Sequence, residues 1–416
     1  MLKEKLSPAT LRLVQTAEQI AAEVVAPNAE RWDRENRFPH ELFSALHRAK
    51  LDAMCVPSAL GGLGIGPDTD DPLPVWLVTR ALASADSASC HSQQVHTNMT
   101  HTVALLGTPE QKERFLRPVV ESGAIFGGWG SEQNGQPPAG ERPAFTVAHR
   151  VGGGWELTGR KFYSTNAGAA KFAIVFAFPD NVANPMSQLL LCMVDCESQG
   201  VSVQPRWWDQ ATGMRATVSH QVNFDRVFVA DDAVIGPPGS YWSSQVQARY
   251  LPQFSANFQG VGAHLFDYAL HYLRERRRTS DPFIQHHMAE AKIMLVTAEL
   301  LLAETAELYR TRRYPQAFDY SRMLRAYSQT AVQRVIELVQ ASCGSSIYME
   351  PGPVSRMTRD WQFYCRHENL DLILTAAGKT IFGLGGEGSP EAFGFGRNED
   401  RQSRGDRRGS NGGRGR

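Results

Sequence analysis

The chain has 416 residues, of which 42% are hydrophobic and 21% are charged, a globular composition that is long enough for two or three domains. Its 43 Lys and Arg residues balance its 43 Asp and Glu residues, so net charge favours neither nucleic acid nor a membrane surface as a partner. The six cysteines are scattered and no apolar run reaches the ~18 residues of a membrane span, so we expect a reduced, cytoplasmic protein without a membrane segment.

The N-terminal part of the chain has helical periodicity. Apolar residues recur at helical spacing from residue 8 to about 56 and again over residues 73 to 120. Pro27 punctuates the first run. Thr108 and the proline after it offer a hydroxyl cap followed by proline at the first helical position. We therefore predict a helical domain over residues 1–120.

A glycine-rich segment, residues 56–64, separates the two helical runs. Its glycines do not match the GxGxxG spacing of a dinucleotide-binding loop, and it follows a helical run rather than a strand. We interpret it as a turn between helices, and a dinucleotide loop is the alternative.

Three histidines in the second helical run, His91, His96 and His101, are five residues apart. Histidines that bind one metal from a helix face are four apart. No other ligand cluster has usable spacing, so we expect no metal. Packed or surface histidines are the default interpretation, and the alternative hypothesis is that His96 faces a substrate pocket.

The pattern changes over residues 121–237. Short β-branched or apolar runs, at 172–178, 189–194 and 218–224, alternate with Gly, Pro and Asn. This predicts a small β-barrel or β-sandwich domain. Two stretches of the domain carry glycines, hydroxyls and aromatic rings together: Phe126-Gly127-Gly128-Trp129-Gly130-Ser131-Glu132, and Trp155 to Ala167 with Tyr163-Ser164-Thr165 near its end.

Residues 238–389 return to helical periodicity. Helices of this length owe most of their stability to packing, so we predict a four-helix bundle with further burial in a homo-oligomer. The last segment, residues 390–416, is rich in Gly, Arg, Ser and Asn, which predicts disorder. Its Arg-Gly repeats could bind nucleic acid, but acidic residues dilute its charge, so we interpret it as a passive tail.

The two central stretches, in this order and flanked by helices, resemble the flavin-cradling strands of the acyl-CoA dehydrogenase superfamily. The resemblance covers roughly residues 10 to 388. It implies an α+β fold with an N-terminal helical domain, a central β-barrel or β-sandwich domain and a C-terminal four-helix bundle. It also implies FAD, or FMN, as the cofactor and a dimer or tetramer of identical chains.

The resemblance assigns roles in flavin binding. Thr165 would donate a hydrogen bond to flavin N5, Ser131 would lie near the pyrimidine edge, and Tyr163 would lie against the ring. Arg276 matches an arginine that contacts the flavin pyrophosphate across a subunit interface, where a planar guanidinium suits phosphate oxygens. The Phe-Gly that family members carry after this arginine is Thr279-Ser280 here. The other residues expected to hold the cofactor are Trp129, Gly130, Ser164, Gly344 and Ser345.

Near the C-terminal end, Glu368 falls on the position of the glutamate that abstracts the α-proton in many dehydrogenases, where burial can raise the pKa of a carboxylate into the range of a base. The family's Tyr before it is His367, and the Gly-Thr after it is Asn369-Leu370. This histidine–acid pair resembles the flavin-dependent (group D) monooxygenase branch, which takes reduced flavin from a separate reductase and reacts it with oxygen. There His367, helped by Thr165 or His96, would stabilise a C4a-hydroperoxyflavin by donating a proton.

A second departure concerns the Asp-Lys-Thr-Arg-like segment that dehydrogenases place near the CoA thioester. Here it is Tyr250-Leu251-Pro252-Gln253, which makes a CoA thioester a poorer fit. The leading hypothesis is a two-component monooxygenase acting on a small organic or amine substrate. The alternatives are an acyl-CoA or acyl-carrier-protein dehydrogenase with Glu368 as base, and a flavin-bound, nucleic-acid-associated protein that uses the arginine-rich tail.

Overall fold

A computed structural model of the chain describes residues 6–69, 71–132, 146–180, 182, 186–349 and 352–384. The arginine-rich tail predicted over residues 390–416 lies outside the described residues. The N-terminal part consists of six helices: α1 (Pro8–Ile20), α2 (Ala26–Glu35), α3 (His40–Arg48), α4 (Leu73–Ala83), α5 (Ser87–Leu106) and α6 (Pro109–Ser122).

The start of α6 follows the cap chemistry in the sequence. Thr108 caps α6 as predicted: its Oγ accepts from Gln111 N at 3.2 Å, and Gln111 Oε1 accepts from Thr108 N at 2.9 Å. Pro27, which we expected to punctuate the first run, does not separate α1 from α2. A π-helical turn, Ala21–Val25, joins the two helices. Pro27 lies in the first turn of α2, and the wider turn before it leaves room for the proline ring.

The glycine-rich segment is a turn between helices, as we interpreted it. A short 3₁₀ turn covers Ser58–Leu60, and Gly61 ends it with φ of 92°, a left-handed conformation that glycine adopts without steric cost. The segment follows α3 and precedes α4. A dinucleotide-binding loop follows a strand, and no strand precedes this segment among the described residues.

The central part is a curled mixed sheet of seven strands: β1 (Phe126–Trp129), β2 (Val147–Val151), β3 (Gly154–Ser164), β4 (Phe172–Pro179), β5 (Leu190–Asp195), β6 (Val201–Gln204) and β7 (His220–Ala230). The strand order is β1-β4-β2-β3-β7-β6, and β5 pairs with β4 off this path. β1 and β2 run parallel to β4, and the other pairs are antiparallel. The three strand runs predicted from composition correspond to β4, β5 and β7.

A short helix, α7 (Pro205–Trp208), lies between β6 and β7. The C-terminal part is helical: α8 (Ser240–Ser243) is short, and α9 (Val246–Glu275), α10 (Pro282–Arg310), α11 (Tyr314–Cys343), α12 (Pro353–Tyr364) and α13 (Leu370–Ile381) follow. Short loops make α9, α10 and α11 antiparallel neighbours, and α13 packs against α11. The buried N-terminal half of α9 also packs on α4 and α5. Among the described helices, none combines the length and apolar character that crossing a bilayer requires. The predicted α+β fold class is confirmed.

Candidate functional site

The end of β3 turns one aromatic side chain out of the sheet. The pairing register with β7 shifts between Lys161 and Ser164, and Tyr163 in that interval has a left-handed φ of 53°. A bulge of this kind re-aims the side chain it contains. The Tyr163 ring is half exposed and packs edge-on against Trp207 at 5.0 Å between centroids, with Phe363 at 6.2 Å. These rings form an aromatic wall at the border of the sheet and α12.

A chain of three hydroxyls follows the bulge on the inner side. Thr165 Oγ lies 2.9 Å from Ser219 Oγ, which lies 2.7 Å from Thr217 Oγ. Thr217 donates its hydroxyl proton to Met214 O at 2.8 Å, so Ser219 is the donor within this pair. All three hydroxyl side chains are buried. We call Thr165, Ser219 and Thr217 the hydroxyl chain.

The hydroxyl chain ends at a buried histidine of α5. Thr165 Oγ lies 3.4 Å from His91 Nε2. His91 Nδ1 lies 3.0 Å from the Tyr364 hydroxyl, which donates to Gln94 Oε1 at 2.9 Å. Because the tyrosine proton is engaged with Gln94, His91 donates from Nδ1 and its Nε2 is an acceptor. The Thr165 proton is engaged with Ser219, whose own proton goes to Thr217, so His91 Nε2 lies beside Thr165 Oγ without receiving its proton.

His367 completes the group from the loop between α12 and α13. Its ring centroid lies 5.1 Å from those of both His91 and Phe254, and 5.9 Å from that of Tyr364. His367 is in part accessible, and these aromatic neighbours lie beside its ring. We call His91, Thr165, Phe254, Tyr364 and His367 the histidine cluster.

Both imidazoles of the histidine cluster are held neutral. Burial among aromatic rings, with the positive charge of Arg325 nearby, lowers the pKa of His367 to about 4. Burial, followed by the proximity of His367, lowers the pKa of His91 well below its usual range. A neutral imidazole offers one hydrogen-bond donor and one acceptor, so at neutral pH each ring can donate a hydrogen bond and can accept a proton.

Glu368, the neighbour of His367, is engaged in a buried ion pair. Arg325 Nε of α11 donates to Glu368 Oε2 at 3.0 Å, and Arg325 also donates to Gln329 and lies 4.4 Å above the Phe258 ring. Burial raises the pKa of Glu368, although Arg325 acts in the opposite direction. Asn369 then caps α13 by accepting from Asp371 N at 3.0 Å, which fixes the end of the loop.

A second buried ion pair holds the end of β1 beside β3. Lys161 Nζ lies 2.5 Å from Glu132 Oε1 and donates to Gly130 O at 3.3 Å. Ser131 O accepts from Phe162 N at 3.0 Å. Gly130 and Ser131 are exposed, so the predicted flavin-edge residues lie side by side at the sheet border.

Two of the residues predicted to hold the cofactor turn inward. The Trp129 indole is fully buried and donates to Thr165 O at 3.0 Å, so its side chain supports Thr165 from the core and does not line an accessible site. Ser164 is also fully buried, and its hydroxyl has no hydrogen-bond partner among the described residues.

The structure does not place His96 in the histidine cluster. His96 is buried, its Nε2 lies 2.9 Å from Asp52 O, and its Nδ1 accepts from Phe126 N at 3.1 Å, so backbone groups occupy both ring nitrogens. His91 is the α5 histidine in the cluster. Five residues of helix rotate the chain by about 140°, so His91 and His96 cannot face the same side. Periodicity alone does not show which of the two faces the cluster.

Arg276 is connected to the turn that contains Gly344 and Ser345, at the far end of the bundle, through Tyr272. Arg276 stacks over the Tyr272 ring at 3.6 Å, and the Tyr272 hydroxyl contacts Ser346 Oγ in the turn that begins at Gly344. The arginine and the turn are exposed. Arg276 lies 22 residues beyond Phe254 on α9, about 33 Å along the helix axis, so this second group is remote from the histidine cluster of its own chain.

Sequence reasoning missed the partners that orient the two histidines. Arg325, Gln94 and the hydroxyls of Thr217 and Ser219 come from three separate segments, and no local motif connects them. Tyr364 had a usable signal, since a residue three positions before His367 at a helix end lies on the same side.

A groove of about 290 Å³ adjoins the aromatic wall. It is lined by Thr212, Tyr348, Ser355, Thr358, Arg359, Gln362 and Phe363. Across the described residues, no three or more His, Cys, Asp or Glu side chains come together as metal ligands.

Comparison with known proteins covers nearly the whole folded chain. Models of the N-terminal, middle and C-terminal domains of acyl-CoA dehydrogenase match residues 7–122, 129–227 and 254–372. The probable acyl-CoA dehydrogenase fadE25 of Mycobacterium leprae is 26% identical over 369 residues, covering 86% of this chain and 91% of the relative. The 3-sulfinopropanoyl-CoA desulfinase of Paraburkholderia xenovorans is 26% identical over 381 residues, covering 86% and 92%.

Solved structures share the fold at lower identity. FMN-bound TdsC of Paenibacillus sp. A11-2 superposes with a TM-score of 0.80 at 22% identity, covering 91% of this chain and 99% of that one; another structure of TdsC is described as a dibenzothiophene monooxygenase. Butyryl-CoA dehydrogenase of Megasphaera elsdenii has a TM-score of 0.81 at 19% identity, with the same coverage. Structures with either chemistry therefore share this fold.

Proposed function

Because the chain belongs to the acyl-CoA dehydrogenase family and is a flavin-dependent oxidoreductase, we propose that it is a two-component monooxygenase. It takes reduced flavin from a separate reductase and uses oxygen to oxidise a small organic or amine substrate. The observation that carries the proposal is the histidine cluster: two neutral imidazoles, His91 and His367, lie 5.1 Å apart beside a buried hydroxyl chain.

The residues at the sheet border fit a flavin. The outward ring of Tyr163 offers an apolar wall, exposed Gly130 and Ser131 offer edge partners, and the Ser164 hydroxyl lacks a partner among the described residues. The cofactor is FAD or FMN. Arg276 lies too far along α9 to join this border in its own chain, which supports the expectation that it serves a flavin bound mainly by another subunit.

Each residue of the cluster has a distinct task in the proposed reaction. When bound, the reduced flavin supplies the electrons that oxygen accepts. His367 presents its accessible imidazole, which donates a hydrogen bond or accepts a proton there. His91, oriented by Tyr364 and Gln94, keeps Nε2 available as an acceptor, and Thr165 connects that nitrogen to the sheet border.

The segment that replaces the dehydrogenase charge pair supports this choice. Tyr250 donates to Asn98 O at 3.2 Å, and Gln253 donates to Thr79 Oγ at 2.9 Å. Both side chains are buried and are occupied by other helices, so neither offers a charge to a CoA thioester.

The ring-lined cluster favours an uncharged substrate. His91, Phe254 and His367 present neutral rings, and the charge of Arg325 is balanced by Glu368. A complex of the structural neighbour TdsC holds indole together with FMN. We infer that a small neutral aromatic or amine compound is a better substrate than an organic anion.

An acyl-CoA dehydrogenase remains the second candidate. Burial raises the pKa of Glu368, which is the property a base for α-proton abstraction needs, and relatives such as that of Mycobacterium leprae are named as dehydrogenases. Against it stands the Arg325 guanidinium, which holds the Glu368 carboxylate at 3.0 Å.

One experiment separates the two candidates. The purified flavoprotein is mixed anaerobically with acyl-CoA thioesters of several chain lengths, and in parallel its reduced form is supplied with oxygen and a small aromatic or amine substrate. The proposal predicts no bleaching of oxidised flavin by any thioester and an oxygenated product in the second reaction. Bleaching by a thioester, without oxygenation, would establish the dehydrogenase.

The partner reductase has its own test. NADH or NADPH alone should leave the bound flavin oxidised, because the sequence has no nicotinamide fingerprint, and adding a flavin reductase should start turnover. Reduction by the nicotinamide alone would remove the two-component part of the proposal.

A further inference from the structure

A buried carboxylate of α12 is joined to the hydroxyl chain through one backbone residue. Asp360 is almost completely buried, and its Oδ1 accepts from Met214 N at 2.6 Å. The loop can approach α12 this closely because residue 213 is glycine: a β-carbon at Gly213 would lie only 2.5 Å from Arg359 O. Asp360 therefore fixes the loop before β7 against α12.

Met214 is the residue on which the hydroxyl chain starts. Its carbonyl accepts from both the backbone N–H and the hydroxyl of Thr217, at 3.1 and 2.8 Å, and its own φ of 56° is left-handed. A non-glycine residue in that region needs support from its surroundings. The hydrogen bond from Met214 N to Asp360 is such a support.

We propose that Asp360 is a positioning residue, which holds Thr217, Ser219 and Thr165 at the flavin edge through the backbone of Met214. The proposal rests on the flavin site described above and is independent of whether the bound flavin reacts with oxygen or with an acyl thioester.

The charges around Asp360 make this support dependent on pH. Asp86, the N-cap of α5, forms a close ion pair with Arg356, and the same guanidinium lies 3.9 Å from Asp360 Oδ2. Two buried carboxylates thus share one arginine. Asp360 Oδ2 has no hydrogen-bond partner among the described residues. Burial first, and then Asp86, raise the pKa of Asp360 to about 7.

Other titratable and charged groups lie near Asp86, Arg356 and Asp360. Asp33 of α2 contributes to the raised pKa of Asp360 and pairs with Arg359 at 2.6 Å. His264 of α9 faces Arg356, and burial lowers the pKa of His264, so it stays neutral where Asp360 titrates. Asp360 is consequently the group in this set that changes charge near neutrality.

Ionised and neutral Asp360 should hold Met214 with different strength. A hydrogen bond to a carboxylate is roughly twice as strong as one between neutral groups. We expect the flavin dissociation constant to fall about threefold to tenfold as the pH rises through the pKa of about 7, because ionisation tightens the hydroxyl chain.

The test is a flavin titration of the full-length apoprotein with FMN and with FAD, followed by fluorescence quenching, at several pH values on both sides of that pKa. Asp360→Asn keeps an oxygen acceptor for Met214 but cannot ionise. It should bind flavin at every pH with the dissociation constant of the wild type at low pH. Asp33→Asn, the control, removes a carboxylate that contacts the same helix but not Met214. It should retain the pH response, with the midpoint moved to lower pH because Asp33 contributes to the raised pKa of Asp360.

A second variant keeps the proposal testable if Asp360→Asn folds poorly. Thr217→Val leaves the carboxylate intact and breaks the connection between Met214 and Ser219, so it should lose the pH response as well. A full pH response in either Asp360→Asn or Thr217→Val would overturn the proposal.

Discussion

Of the two histidines in the cluster, one could be predicted from the sequence and the other could not. His367 replaces the tyrosine of a recognisable motif, so its position could be predicted from neighbouring residues. His91 belongs to a helix that is buried for most of its length, and burial on every face removes the amphipathic pattern that would identify one side. Only the contacts with Tyr364 and Thr165 show which α5 histidine takes part.

Replacing His367 tests the role of its accessible imidazole. His367→Ala should lower turnover about 10²- to 10⁴-fold, the usual contribution of a general acid or base, while flavin remains bound because the sheet border is unchanged. His149→Ala is the control, since His149 lies on β2 and pairs with Asp180 near the surface. Turnover and flavin content are measured on the same samples. Undiminished turnover in His367→Ala would show that His367 has no role in the reaction.

Arg325 should control both the stability of the loop and the acid limit of turnover. Arg325→Gln leaves Glu368 buried without its cation, which we expect to cost about 3–5 kcal/mol in the free energy of unfolding. Because Arg325 lowers the pKa of His367, its loss should move the acid limb of the pH–rate profile to higher pH.

Two measurements check the Arg325 prediction: denaturant unfolding and a pH–rate profile. The double variant Arg325→Met with Glu368→Leu removes both charges and should recover much of the lost stability. If Arg325→Gln shifted neither the unfolding free energy nor the acid limb, the ion pair would have no part in the site.

At the scale of elements, the alternation and turns of the central segment predicted strands that the structure contains. The sequence could not predict the bulge in β3 that turns Tyr163 outward. A register shift depends on how β3 pairs with β7, and pairing is a non-local property. In the same way, Pro27 indicated a local irregularity in the helix. The π-helical turn before it could not be predicted, because it depends on how the helices on both sides pack.

The Lys161–Glu132 pair should determine how well the sheet border binds flavin. Lys161→Met releases the end of β1 that carries Gly130 and Ser131, so we expect flavin affinity to fall about tenfold or more, on the scale of losing a buried charge-assisted hydrogen bond. Lys171→Met is the matched control, because Lys171 pairs with Asp195 and Glu197 at the surface. Equal flavin dissociation constants in the two variants would contradict this role.

At the scale of the whole molecule, Asp360 gives stability an unusual dependence on pH. The pKa of this carboxyl rises from 3.8 to about 7 on folding, so between these values the folded chain holds a proton that the unfolded chain has lost. The contribution of Asp360 to stability therefore falls as the pH rises through this window and is constant above it.

Thermal unfolding of wild type and Asp360→Asn at the two ends of this window provides the check. The difference in Tm between the two proteins should change in favour of the variant as the pH rises, by about 1 °C for each kcal/mol in a chain of 416 residues. His367 has the opposite effect on stability, because its lowered pKa makes stability fall as the pH falls. This effect is the same in both proteins and therefore cancels in the difference in Tm. A difference in Tm that does not vary with pH would contradict the raised pKa.

The outer surface of α10 and α11 makes the assembly of several chains testable. Ile293, Leu300 and Met323 are exposed large apolar side chains, and such a surface is typical of a protein contact. We predict a dimer or tetramer of the wild type, and a lower mass for Ile293→Asp with Leu300→Asp, measured by analytical ultracentrifugation. A monomeric wild type would contradict the expectation and would leave Arg276 without a flavin to serve.

The reaction of the bound reduced flavin with oxygen tests the proposed monooxygenase most directly. The protein, its flavin reduced anaerobically, is mixed rapidly with oxygenated buffer while the absorbance of oxidised flavin and the release of hydrogen peroxide are followed. A monooxygenase with the proposed cluster predicts that oxidised flavin returns only after a lag in the wild type, and without a lag and with prompt peroxide release in His367→Ala. Immediate return of oxidised flavin in the wild type, identical to that of the variant, would contradict the central claim.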